Sequence, residues 1–144
     1  GMIATILVIT AMVDAPRVSA HANATGIVKE RMDNFKATQG HLKAISRLLG
    51  STEFGEIASR ASAMRNWGLA MPAAFPEGSD GKPSEAASAI WTDNEGFIAA
   101  ASSHVAALDE MIAAADAGDT GAVSAAFKAV ARTCKACHIK YRQF

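Results

Sequence analysis

Between Val28 and Tyr141 apolar side chains return every three or four positions, and no run of four to eight residues alternates apolar with polar or concentrates β-branched residues. That spacing is the period of a helix buried along one face, and it leaves a β-sheet without a candidate strand. Four stretches carry the pattern. The first places Val28, Met32, Phe35, Leu42, Ile45 and Leu49 on one side, with Gly50 where a helix C-terminus commonly stops. The second opens with Ser51 or Thr52 as cap, aligns Phe54, Ile57, Ala61, Met64 and Met71, and ends at Pro72. Pro72 to Pro83, dense in proline and glycine, is the single long connection. The third, from Ser84 to Ala115, lines up Ile90, Phe97, Ala101, His104, Leu108 and Met111, and Gly118-Asp119 turns the chain. The last starts at Thr120 and carries Val123, Phe127, Val130, Cys134, His138 and Tyr141. Four helices joined by two short turns and one long loop predict an all-α, antiparallel four-helix bundle.

At 144 residues, half of them apolar, the chain has the size of one domain with one core. Fourteen basic residues balance fourteen acidic ones, so no charge excess points to nucleic acid or to an anionic membrane. No residue set for hydrolysis or group transfer stands out, so catalytic turnover is not expected. Ile3 to Val13 are eleven uncharged residues, too few to span a bilayer. They precede Ala20-His21-Ala22, whose small residues suit a signal peptidase, so residues 1–22 read as a signal peptide and 23–144 as the working domain. A basic segment before the apolar run is missing; an amphipathic helix packed on the core is the alternative.

Chemistry concentrates at the end of the last stretch, Arg132-Thr-Cys-Lys-Ala-Cys-His-Ile-Lys-Tyr-Arg142. Two cysteines three positions apart are too few and too close for a disulfide framework. Cys134, Cys137 and His138 instead form CxxCH, the attachment motif of c-type haem, in which two thiols add to two vinyl groups and the adjacent imidazole comes under the iron. On a helix Cys134 and His138 stand one turn apart with Cys137 beside them. A thioredoxin-like dithiol would sit after a strand at a helix N-terminus, and a zinc site would need another ligand. One covalent haem c per chain, near the C-terminal helix, is therefore expected; a chain made without the attachment machinery would lack it. Arg142 follows His138 by one turn and can serve as a cation at the helix C-terminus. Tyr141, Trp91 and Phe97 are candidate pocket walls, and His41 and His104 are rival ligands, a satisfied buried histidine being the plainer role for His104.

TCKACHIKYR, preceded by AAADAGD, resembles the cytochrome c′ family, as do VKERMDNFKATQGHLKAI, MPAAFPEGS and IWTDNEGF in the same order along the chain. The resemblance implies a periplasmic haem protein with His138 as proximal ligand, Cys134 and Cys137 as thioether anchors, and Arg31 reaching a haem propionate. It places Phe35 on the distal side, where a phenyl ring offers iron no lone pair. The iron would then be five-coordinate and high-spin, behind a distal face without a hydrogen-bond donor, suited to nitric oxide and carbon monoxide. Arg142 would lie near the proximal face. Met32, three residues before Phe35, is the alternative sixth ligand of a low-spin electron-transfer cytochrome; a haem-free redox or structural bundle is the second alternative. A homodimer through the first two helices and an unidentified redox partner are also implied.

Overall fold

A computed structural model of the chain describes residues 25–143. The signal peptide expected at residues 1–22 lies outside them. Helix α1 spans Gly26–Leu48, α2 spans Phe54–Ala70 and continues into a 3-10 turn over Met71–Ala74, α3 is the single turn Ala89–Thr92, α4 spans Asn94–Asp116 and α5 spans Thr120–Tyr141. The long helices α1, α2, α4 and α5 form the expected antiparallel four-helix bundle.

The turns follow local chemistry. Gly50 (φ 83°) and Gly118 (φ 66°) take the left-handed conformation just past the ends of α1 and α4, which costs a residue without Cβ little. The Asp119 side chain then accepts from the Ala122 backbone N–H at 2.8 Å, capping α5. At α2 the cap position falls to Glu53 rather than to Ser51 or Thr52. The Ser51 hydroxyl accepts from the Glu53 N–H at 3.2 Å, so it organises the turn and not the helix end.

The third stretch departs from expectation. Residues 84–88 are not helical, and Asp93 (φ −130°, ψ 57°) breaks the chain between α3 and α4. The backbone there is engaged elsewhere: the Ala87 N–H donates to Tyr141 O at 3.0 Å, the Gln143 N–H donates to Glu85 O at 2.7 Å, and Ala86 bridges Arg142. Pairing with the C-terminus thus satisfies groups that a longer helix would have satisfied internally.

The core falls into two clusters. Ile45, Ile57, Ala61, Met64, Leu108, Met111, Ala115, Val123, Ala126 and Val130 fill the end of the bundle where the short turns lie. Ala86, Ile90, Phe97 and Tyr141 fill the other end. By length and composition α4 could cross a membrane, yet Phe97, Ala101, His104, Leu108, Met111 and Ala115 face inward, and α4 packs between α2 and α5 as the bundle's core helix. Helix α1 packs on α2 and on the Met71–Ala74 turn. Among the described residues the remaining side of the bundle, between α1 and α5, has no packing of that extent.

Candidate functional site

The buried face of α5 carries the cysteines across the boundary between the two clusters. Cys134 packs against the first cluster and Cys137 against the second. Both are free and half-buried, and burial pushes both thiols above the ordinary cysteine value. That is opposite to what a redox-active dithiol needs, since the thiolate is the reactive form. His138 is also half-buried; burial lowers its pKa, the nearby Arg142 charge lowers it further, and Glu85 opposes them. A neutral imidazole is the form that can ligate a metal. Among the described residues no group of three or more His, Cys, Asp or Glu side chains could hold a metal ion, which leaves the zinc alternative without ligands.

A chain of aromatic rings runs across the bundle from α2 to α5. Trp67 meets Phe35 edge-on at 5.4 Å, Phe35 tilts toward Phe75 at 6.3 Å, Phe75 meets Phe97 at 5.2 Å, and Phe97 meets Tyr141 at 5.4 Å. Phe35, Phe97 and Tyr141 are thus linked through Phe75 in one chain of ring contacts. Trp91 is attached to it through its backbone: the indole N–H donates to Phe75 O at 2.9 Å. Two members, Trp67 and Phe75, were not singled out from sequence. Phe75 lies in the long loop, where periodicity has no meaning, and Trp67 sits one turn after Met64 on the flank of the α2 core face. Met32, the alternative sixth ligand, is turned outward and 41% exposed.

Arg31 is 2% exposed, although it is a cation on a helix facing a loop. Its four terminal N–H bonds all reach protein acceptors. Nη1 donates to Ala74 O at 3.1 Å and to Ser79 Oγ at 2.7 Å; Nη2 donates to Ser79 O and to Ser84 Oγ, the latter at 2.6 Å. The guanidinium also stacks 4.3 Å over the Phe75 ring. Burial pulls its pKa down and Asp80 holds it up. The arginine thus clamps the 74–84 loop against α1 and fixes Phe75.

The opposite end of the wall is held by α5. The Tyr141 hydroxyl donates to Asp93 Oδ2 at 2.9 Å, and Lys140 pairs with the same carboxylate. Their hydrogen bonds, Lys140 first, hold the Asp93 carboxyl below its ordinary range. Arg142 pairs with Glu85 at 2.7 Å and donates its backbone N–H to His138 O at 3.2 Å, and its charge is near enough to act on the imidazole. The rival histidines are engaged elsewhere. His104 Nδ1 meets Thr133 Oγ1 at 2.8 Å, and that hydroxyl donates to Val130 O at 2.6 Å, so Nδ1 carries the proton. His41 Nδ1 accepts from Arg60 at 3.4 Å.

These residues fit a haem. Two half-buried thiols, a neutral imidazole and a wall of rings meet where the core divides. One buried polar atom points the same way: the Trp67 indole nitrogen is enclosed and has no hydrogen-bond partner among the described residues. Fold and site together define a class, a four-helix bundle carrying a CxxCH haem-attachment motif on its last helix. Comparison with known proteins narrows it. The cytochrome c′ family model matches residues 26–142. A cytochrome c′ from Rhodospirillum rubrum is 37% identical over 129 residues, covering 87% of each chain, and one from Pararhodospirillum photometricum is 34% identical over 125 residues, covering 85% of this chain and all of that one. Among solved structures, the nitric oxide complex of a cytochrome c prime variant from Alcaligenes xylosoxidans superposes with a TM-score of 0.75 at 27% identity, covering 82% of this chain and 94% of that one. The chain belongs to the cytochrome c′ family, whose cofactor is haem c.

Proposed function

We propose that this chain is a periplasmic cytochrome c′ holding one covalent haem c with five-coordinate iron, and that it carries single electrons or binds nitric oxide and carbon monoxide. The observation that carries the five-coordinate reading is the orientation of α1: Phe35 faces the aromatic wall while Met32 faces out. Solved relatives from Alcaligenes xylosoxidans include nitric oxide and carbon monoxide complexes, which supports the same ligand class here. When bound, the haem would supply an iron able to take up one electron or to bind a diatomic gas.

The chain's own residues do the rest. The Cys134 and Cys137 thiols would hold the haem, each adding S–H across one vinyl group, an addition that needs no oxidant. His138 offers an imidazole nitrogen to the iron, and Arg142 holds positive charge beside it. Phe35, Phe75 and Phe97 keep the distal side apolar, with Trp91 and Tyr141 holding the wall in place. Arg31 would hold a propionate, a carboxylate being a stronger acceptor for its fork than a serine hydroxyl. Pairing of two copies through α1 and α2 is part of the proposal and rests on the family resemblance.

An absorption spectrum of the reduced protein, with and without carbon monoxide, tests the reading. A broad α region and a Soret band that shifts on adding the gas are expected. A sharp α band indifferent to the gas would remove the open site, and haem lost to acidic organic extraction would remove the covalent attachment.

A further inference from the structure

The two tryptophans of this chain are treated differently by their surroundings. Trp91 donates its indole N–H to Phe75 O at 2.9 Å. The Trp67 indole nitrogen is shut away from solvent and donates to nothing among the described residues. A buried indole N–H almost always finds an acceptor, so an orphan at this point asks for one that the polypeptide itself does not supply. Its position narrows the choice. Trp67 lies edge-on against Phe35 at 5.4 Å, and Phe35 is the side chain that closes the distal face. A buried water would need two or more further polar partners, whereas the ring that Trp67 touches is a phenyl group.

We propose that the Trp67 indole N–H is the hydrogen-bond donor for an oxygen acceptor brought in by the haem, either the outer atom of a bound diatomic or a propionate oxygen. The proposal rests on the function proposed above. It alters one consequence of that function: the distal face is not purely apolar but has a single donor at its edge, contributed by α2. A donor aimed at the outer atom of a ligand favours polar bound states, so discrimination among diatomics depends on Trp67 as well as on the bulk of Phe35.

The test uses the haem-loaded protein and W67F, which keeps a ring against Phe35 and removes the N–H. In the diamagnetic ferrous carbon monoxide adduct of the unsubstituted protein, the Trp67 indole N–H resonance is expected downfield of an unbonded indole or dependent on propionate ionisation, with Trp91 as the internal control. If the acceptor is the bound diatomic, W67F raises the C–O stretching frequency and speeds ligand release roughly fivefold, the factor one ordinary hydrogen bond is worth, while the midpoint potential stays. If the acceptor is a propionate, the midpoint potential and its pH dependence move while the C–O stretch stays. Neither change in W67F, with a Trp67 resonance at the unbonded position and independent of propionate ionisation, overturns the proposal. Because the indole resonance is read on the unsubstituted protein, the outcome does not depend on W67F folding. A chain that binds no haem at all overturns the function itself, which is a separate and visible result.

Discussion

A single side chain, Arg31, holds more of the site in place than any other. It lies on α1, yet its acceptors are Ala74, Ser79 and Ser84, so it ties the first helix to the loop that leads into the second half of the bundle. Replacing it by glutamine removes the charge and leaves several buried acceptors without donors. Arg31→Gln is expected to cost about 3 kcal/mol, lowering Tm by about 10 °C, as read by thermal denaturation; an unchanged Tm would mean that the loop is held by other contacts. His104 carries a pH dependence. Burial first, and the charge of His138 second, lower its pKa, so the unfolded chain takes up a proton at a higher pH than the folded one. The folded state is therefore favoured fully above the ordinary histidine value of about 6.5 and loses that advantage as pH falls through it. Urea midpoints at pH 8 and pH 5 should differ, and the difference should shrink in His104→Gln.

At the scale of elements, the break at Asp93 and the strap formed by residues 85–87 and 141–143 fix the end of α5 only a few residues beyond His138. Gly96 makes room for the Tyr141–Asp93 contact beside that strap. A Cβ there would stand 2.4 Å from Tyr141 Oη and 2.3 Å from Asp93 Oδ2, so Gly96→Ala must displace the tyrosine–aspartate contact. Overpacking of this kind costs about 2 kcal/mol. Gly40→Ala on the exposed side of α1, where nothing lies within 4 Å, should instead stabilise by up to about 1 kcal/mol through helix propensity. Opposite signs for the two alanines, measured by denaturant unfolding, would show that the Tyr141–Asp93 contact carries stability; equal signs would show that it does not. The same elements mark how far the sequence was legible. The four long helices follow from apolar spacing because packing along one face imposes that period, and CxxCH is readable because attachment chemistry fixes its spacing. Residues 84–88 were misread as helix because their backbone partners, Tyr141 and Gln143, are more than fifty positions away. Trp67 and Phe75 were missed for a similar reason: their ring partners lie on other elements, and no local pattern reports a contact between elements.

For the molecule as a whole, the divided core implies a divided stability. Helix α4 buries six residues and packs against both α2 and α5, whereas α1 buries only Arg31 and Ile45 and packs on α2 and one turn. On the proposed function, the group that would join α1 to α5 is the haem, held to α5 by Cys134 and Cys137 and faced by Phe35 from α1. Removing that group withdraws apolar contact from α1 more than from α4, because α4 keeps its helix neighbours on both sides. In a Cys134→Ala/Cys137→Ala chain without haem, amides of residues 26–48 should exchange with deuterium at least about tenfold faster than in the haem-loaded protein, equivalent to about 1.4 kcal/mol of lost protection. Amides of residues 94–116 should change far less. Equal acceleration in both segments would show that the bundle unfolds as one unit and that the thin side between α1 and α5 has no energetic meaning. Faster exchange confined to α1 would show that the cofactor completes the fourth side of the bundle as well as the chemistry of the site.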